Sequence, residues 1–209
     1  MPRLRFERAP VEKREPLLDA ATHEFAAHGY EDASINRILL AGGFSKGSFY
    51  YYFDDKADLA VAVLERWAKC ASSVWCDAPL PNTPEEFWKV GQSLIDQTME
   101  RLRHMPHVTL DAMMRLGTAL ARFPEVRERL ASEPVTGMMT KITNVWKRGQ
   151  EIGAVRTDLP LPTLLALLQD TKLTLVRLLL PSDRAATVDE IDAFTRTHWD
   201  LVRRIAEAR

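Results

Sequence analysis

Apolar residues recur at helical spacing along almost the whole chain, and runs of alternating apolar and polar residues are nearly absent. Such spacing places apolar side chains on one face of an α-helix. Pro16 favours a helix start close to residue 15, because proline suits a first turn, and Gly29 is typical of a helix end. The pattern predicts an all-α protein of about nine helices. They cover residues 15–28, 34–41, 45–51, 55–75, 83–105, 106–123, 124–152 (interrupted at Pro134), 161–180 and 188–208.

The two shortest predicted helices are joined by a tight, glycine-containing turn over residues 42–44, which is typical of a helix-turn-helix. Ser34 and Ser45 are good N-cap residues for these helices. In such a motif the second helix enters the major groove with its N-terminal residues towards the bases. Glycine at position 47 disfavours a helix by about 1 kcal/mol relative to alanine, and close approach to a duplex would explain its presence. The residues at this end are Lys46, Gly47 and Ser48.

The same stretch also fits the G-x-S-x-G pattern of a hydrolase nucleophile elbow, with Ser45 as the nucleophile. An elbow requires a strand before the serine, whereas the preceding residues here have helical periodicity. A helical hydrolase that uses Ser45 is therefore an alternative to DNA binding. A helical interaction module without DNA binding is another.

The segment over about residues 14–59 resembles the DNA-binding domain of the tetracycline-repressor (TetR-type) family of transcriptional regulators. Two positions depart from the family pattern: Gly42 stands where alanine is more usual, and Tyr52 where histidine is frequent. The matching residues are Ala20, Ala21, Phe25, Gly29, Tyr30, Ala33, Ser34, Ile35, Ile38, Gly43, Ser45, Lys46, Gly47, Phe49, Tyr50, Tyr52, Phe53, Lys56 and Leu59.

The resemblance implies contacts with double-stranded DNA through the two short helices and the start of the fourth. Ser34, Ser45 and Lys56 would meet phosphates, while residues further along the second short helix would face bases or the sugar–phosphate backbone. Phe49 and Phe53 fill the inward spacing, so the tyrosines between them cannot all be core. The predicted DNA-binding residues are Ser34, Arg37, Ser45, Lys46, Gly47, Ser48, Tyr50, Tyr51, Tyr52 and Lys56.

The first fourteen residues contain five basic and two acidic side chains. This segment is either a flexible basic arm that follows a minor groove or a disordered, solvated tail. The resemblance places the boundary between a DNA-binding domain over residues 1–55 and a helical ligand-binding and dimerisation domain over residues 56–209.

Helix 161–180 is apolar nearly all round and must be covered on both sides, and the last helix has a broad apolar face. Two such helices fit a four-helix bundle formed with a second copy of the chain, although an internal core has the same pattern. The predicted dimer-interface residues are Leu175, Leu179, Ile191, Phe194, Trp199, Leu201, Val202 and Ile205.

A pocket for an apolar or amphipathic ligand is expected among the middle helices, because clustered methionines suit adaptable apolar sites. His104 and His107 offer only two ligands to a metal that needs four, so neither a metal site nor a cofactor is expected. The predicted ligand-binding residues are Trp67, Trp88, Leu94, Met99, Leu102, Met113, Met114, Met138, Ile142 and Trp146.

Composition adds little to this interpretation. The chain has 28 basic and 29 acidic residues and a net charge of −1, so only the local distribution of charge can favour DNA. Two cysteines, no apparent signal peptide and charges within the most apolar helix suggest a cytoplasmic protein without a membrane span. We expect a bacterial, nucleoid-associated repressor that binds a palindromic operator as a homodimer and is released by a small effector.

Overall fold

The computed structural model describes residues 4–103, 116, 120–130, 133–181, 184 and 186–208. In this part of the chain the regular elements are helices, apart from one β-bridge between Val155 and Glu207. The all-α prediction is confirmed, while most of the predicted helix 106–123 lies outside the described residues. The α-helices are α1 (Leu4–Glu7), α2 (Val11–Asp32), α3 (Ile35–Ala41), α4 (Lys46–Tyr52), α5 (Lys56–Cys76), α6 (Pro84–Arg103), α7 (Pro124–Arg127), α8 (Glu133–Glu151), α9 (Leu161–Leu179) and α10 (Val188–Ala206), and a 3-10 helix covers Leu120–Arg122.

The chain folds into two compact units. The N-terminal unit comprises Met1–Lys69 and Met105–Val135, and the C-terminal unit comprises Cys70–His104 and Thr136–Arg209. The boundary between the two compact units thus lies within α5. The predicted domain boundary after residue 55 is defined by function rather than by compactness, and it stays a prediction.

Helix α2 begins earlier than the sequence pattern predicts. It starts at Val11, so Pro16 lies inside the helix and the predicted start near residue 15 is wrong. Proline at this position removes only the hydrogen bond to the carbonyl of Glu12, an exposed residue whose carbonyl water can reach. Gly29 has φ 73° and ψ 177°, so regular helix ends there as predicted, and a short turn continues to Asp32.

The core of the N-terminal unit is built by the inward faces of α2 to α5. Phe25, Ile38, Phe49 and Phe53 are fully or almost fully buried, as their spacing predicts, and the rings of Phe49 and Phe53 stack at 5.5 Å. These contacts fix α3 and α4 against the two longer helices. The orientation of the short helices therefore comes from the core rather than from their own length, since a seven-residue helix is unstable alone.

The turn between α3 and α4 depends on two glycines with different roles. Gly43 has φ 70°, a conformation that favours glycine. Gly42 has ordinary dihedral angles, but a β-carbon there would lie 3.0 Å from the Cα of Leu17 and 3.2 Å from the carbonyl oxygen of Ile38. Gly42 therefore lets the turn pass close to the backbone of α2, and it tightens the packing at this point.

The C-terminal unit packs α6, α8, α9 and α10 around aromatic side chains. The ring of Phe87 lies 5.5 Å from that of Trp146. A β-carbon at Gly149 would clash with the Phe87 ring. Gly91 in the same way leaves room for the ring of Trp199 on α10. Among the described residues, no helix is long and apolar enough to cross a membrane.

Candidate nucleic-acid interface

The serines before α3 and α4 act as N-caps. The Ser34 hydroxyl accepts a hydrogen bond from the amide of Arg37 at 3.4 Å, and the Ser45 hydroxyl accepts one from the amide of Ser48 at 3.1 Å. The hydroxyl groups of Ser45 and Ser48 also lie 2.9 Å apart. Both helices therefore begin where the sequence predicts, because their first amides find side-chain acceptors.

The structure does not favour the alternative in which Ser45 is the nucleophile of an elbow. Residues Ile35–Ala41 before the serine form a helix where an elbow requires a strand. The Ser45 hydroxyl is engaged with the amide and hydroxyl of Ser48. Its place in the fold is that of a helix cap.

Helix α4 presents a polar and aromatic surface to solvent. Its first two residues, Lys46 and Gly47, are exposed. Tyr50 keeps 57% and Tyr51 50% of its surface accessible, whereas Phe49, directly before them, is buried. Two of the three tyrosines therefore lie outside the core, as the spacing predicts, and they extend the surface that begins at Lys46.

Within the described part of the chain, no neighbouring atom requires a glycine at position 47. A β-carbon there would meet only the Ser45 hydroxyl, at the ordinary contact distance of 3.9 Å. The helix thus contains its least favourable residue other than proline where an alanine would fit. The space in front of Gly47 is open to a partner that approaches the helix closely.

A shallow groove of about 350 Å³ connects α4 with the starts of α3 and α5. It brings together four predicted DNA-binding residues: Ser34, Lys46, Tyr50 and Lys56. Asn36, an exposed amide in the first turn of α3, also lines it and was missed by the sequence analysis. Its polar side chain two positions after an N-cap serine is the signal that could have identified it.

Two of the cationic side chains that are predicted to bind DNA have partners within the protein. The Lys56 ammonium donates hydrogen bonds to the carbonyls of Glu31 (2.8 Å) and Ala33 (3.2 Å), and lies 4.9 Å from the centre of the Tyr30 ring. The Arg37 guanidinium donates to Glu24 at 2.8 Å. Lys56 thus joins the start of α5 to the end of α2 at the edge of the groove, and the phosphate contacts of both residues stay predictions.

The N-terminal segment is ordered against α4 from residue 4 onwards. Phe6 is buried, with its ring 4.6 Å from that of Phe53 and 5.5 Å from that of Tyr52. The Arg5 guanidinium lies 4.7 Å from the centre of the Tyr51 ring. This part of the segment is therefore a short packed helix, which neither the flexible arm nor the disordered tail predicts, and Arg5 adds positive charge beside the exposed tyrosines.

The predicted ligand-binding residues are distributed over several environments. Trp88, Trp146 and Ile142 belong to one apolar cluster of the C-terminal unit, and Leu94 packs in another. Met138 is buried, and Met99 lines a groove between α6 and α10. Trp67 is partly buried in the N-terminal unit. Met113, Met114 and the side chain of Leu102 lie outside the described part, as do His104 and His107.

The predicted dimer residues divide into two groups. Ile191, Phe194 and Val202 are buried within the chain itself, and Trp199 packs against Trp88 with ring centres 5.6 Å apart. Leu175, Leu201 and Ile205 are partly buried. Leu179 keeps 46% of its surface accessible, beside Leu178 with 73%. Among the predicted dimer residues, Leu179 on α9 is therefore the exposed one.

The described residues contain no group of three or more histidine, cysteine or acidic side chains that could hold a metal ion. The features that the fold does bring together are the exposed surface of α4 and the adjoining groove. An all-helical protein with an N-terminal helix-turn-helix domain is the class that fold and site define.

Residues 17–63 match the family described as "Bacterial regulatory proteins, tetR family". This match confirms the resemblance that the sequence analysis describes for the N-terminal segment. The match includes α3, the turn, α4 and the first part of α5.

Similar proteins include the HTH-type transcriptional repressor AcnR of Corynebacterium efficiens, 39% identical over 66 residues, which are 31% of this chain and 35% of that protein. The repressor SCO4008 of Streptomyces coelicolor is 28% identical over 77% of each chain. For AcnR and the other relatives that match over the N-terminal segment alone, the chain spans only about a third or less of the relative's length. Among solved structures, a TetR family regulator from Chloroflexus aurantiacus has a TM-score of 0.58 and 25% identity over the full length of both chains.

Proposed function

We propose that this protein is a DNA-binding transcriptional regulator, a repressor that binds a palindromic operator as a homodimer and dissociates when a small apolar or amphipathic effector binds. The observation that carries the proposal is the exposed surface of α4, where Lys46, Gly47, Tyr50 and Tyr51 point away from the core of a helix-turn-helix. The names of the relatives as repressors support the sign of regulation.

Each side chain on this surface has a chemistry suited to DNA. The Lys46 ammonium can donate to guanine in the major groove or pair with a phosphate. Tyr50 and Tyr51 combine a ring that can contact a thymine methyl with a hydroxyl that can donate to a phosphate. Ser34 and Asn36 add polar groups at the groove, where the sugar–phosphate backbone of a DNA strand would pass.

The geometry of the duplex supports the homodimer that we propose. Successive major-groove faces lie about 34–36 Å apart, so one helix-turn-helix of this size reads a single half-site. Two copies related by a two-fold axis would read a palindrome. The exposed leucines of α9 provide an apolar surface for this contact.

The test begins with the selection of an operator from random or genomic DNA by the purified full-length chain, followed by titration of the selected duplex across a salt series. Lys46→Ala and Tyr50→Ala should each weaken binding by about 5- to 150-fold, corresponding to about 1–3 kcal/mol. Lys147→Ala, which removes an exposed lysine of the C-terminal unit, is the matched control and should bind like the wild type. Unchanged affinity of both α4 variants at every salt concentration would contradict the proposal.

The salt series also assigns the role of Lys46. If its ammonium meets a phosphate, Lys46→Ala flattens the salt dependence; if it meets a base, the variant instead relaxes sequence preference. A fluorophosphonate probe addresses the hydrolase alternative, because labelling of Ser45 would support a nucleophile at that position.

A further inference from the structure

Lys172 lies on the inward face of α9. The residues four positions before and after it, Leu168 and Val176, are buried, and so is Leu164 one turn further back. Lysine thus occupies the middle of an otherwise apolar inward stripe, and its side chain is only partly accessible. Burial lowers the pKa of the Lys172 ammonium.

His198 has the equivalent position on α10, the helix that packs against α9. Phe194 and Val202, one turn on either side, are buried, and the imidazole stacks on the Phe194 ring with centres 5.9 Å apart. Burial, together with the positive charge of nearby Lys172, lowers the pKa of His198 to about 4. The imidazole is therefore neutral near pH 7 and can donate one hydrogen bond beside the ammonium.

The acids of these two helices do not neutralise Lys172. Asp170, Asp189 and Asp200 are on exposed positions. Glu190 caps α10 and pairs with Arg184, and Asp192 pairs with Arg103. Within the described part of the chain, Lys172 has neither a hydrogen bond nor an ion pair. A cation in such surroundings is costly to the fold, so a partner from outside the chain would relieve an existing penalty.

We infer that Lys172 anchors the anionic head group of an amphipathic effector, with the imidazole of His198 donating a hydrogen bond to the same group. The leucine and valine side chains on the inward stripe of α9 pack within the chain and make the surroundings of Lys172 apolar, which suits a ligand with an apolar body. The inference rests on the effector of the proposed function. It deepens that function by naming the chemistry of the effector, an alkyl chain that ends in a carboxylate or a phosphate.

The probes are straight-chain alkyl carboxylates from acetate to laurate, alkyl phosphates, and alcohols of equal chain length. Their binding to the full-length protein is measured by intrinsic tryptophan fluorescence and by thermal shift. At the best chain length, a carboxylate or phosphate should bind at least about tenfold more tightly than the alcohol, because a charge-assisted bond forms in a poorly solvated site. The two anionic series then show which head group is preferred.

Lys172→Met should abolish the preference for an anion, Lys172→Arg should retain part of it, and Lys147→Met, at an exposed lysine, should leave it unchanged. Without any probe, Lys172→Met should melt at the same temperature as the wild type or higher, since it removes an unpaired buried cation. The inference is overturned if alcohols bind the wild type as tightly as the anions, or if Lys172→Met keeps the preference.

A lower melting temperature of Lys172→Met together with a smaller assembly in light scattering would overturn it too, because Lys172 would then pair with an acid of a second copy. These measurements contain no DNA. Failure of the proposed function is detected separately, by titration with a selected duplex. The proposed function fails if an anionic amphiphile binds the protein but the protein binds no duplex, or binds one and does not release it when the amphiphile is added.

Discussion

Arg129 donates a hydrogen bond of 2.8 Å to Asp58, a carboxylate that keeps only 2% of its surface accessible. The same guanidinium also donates to Asp55. The second oxygen of Asp58 accepts from the backbone amide of Asp54 at 2.8 Å. Within the N-terminal unit, the segment after α7 is thus fixed to the first turn of α5, a few residues after the end of α4.

Arg129→Met should therefore destabilise the N-terminal unit. The variant keeps the apolar stem of the side chain but leaves a buried carboxylate without its cationic donor, and we expect a loss of about 2 kcal/mol in the free energy of unfolding. Urea unfolding followed by circular dichroism measures it. Arg127→Met, which changes an exposed arginine of the same segment, should cost much less. Equal stability of the two variants would contradict this role of Arg129.

The same contact predicts how stability depends on pH. The hydrogen bond from Arg129 lowers the pKa of Asp55 in the folded protein. A carboxylate with a lowered folded-state pKa contributes stability that is fully present above its unfolded pKa, about 3.9, and is lost as pH falls through the lower folded value. The melting temperatures of wild type and Arg129→Met should therefore converge below about pH 4. Curves that stay parallel from pH 7 to pH 3 would show that the pairing contributes nothing to acid sensitivity.

The sequence predicted the α3–turn–α4 unit well because its determinants are local. Two serine caps, a glycine turn and two inward phenylalanines suffice to place these helices and to leave Lys46 and Tyr50 outside. The position of Arg129 could not be predicted, because its partners lie more than seventy residues earlier in the chain. The inward position of Lys172, one of the charges within the most apolar helix, could not be predicted either, because periodicity does not show which face of that helix is covered within the chain.

Exposed leucines on α9 predict the effect of charge on assembly. Leu179→Asp should give monomers that still fold, because the side chain keeps 46% of its surface accessible and an aspartate there can reach water. Val202→Asp should instead prevent folding, because that side chain is buried within its own chain and an aspartate there would have an unpaired charge. Light scattering and circular dichroism distinguish the two results. A Leu179→Asp protein with the same mass in solution as the wild type would exclude this part of α9 from the interface.

Gly42 provides a test of the close packing between the turn and α2. In Gly42→Ala the new β-carbon would lie 3.0 Å from the Cα of Leu17 and 3.3 Å from the carbonyl oxygen of Pro16, both backbone atoms that cannot rotate away. We expect a loss of about 1–3 kcal/mol, typical of overpacking, in chemical unfolding. A variant as stable as the wild type would mean that the backbone of α2 moves aside at little cost.

Gly47 should respond to the same substitution in the opposite way. A β-carbon at this position meets only the Ser45 hydroxyl at 3.9 Å, so Gly47→Ala should gain up to about 1 kcal/mol of stability from helix propensity. If a duplex approaches α4 closely, the added methyl group occupies space that DNA requires, and affinity for the selected operator should fall by about tenfold or more. Melting temperature and operator titration of the same preparation therefore move in opposite directions, which a folding defect cannot produce. Should the more stable variant bind the operator as tightly as the wild type, close approach of DNA at Gly47 is refuted, and the glycine has no role in recognition.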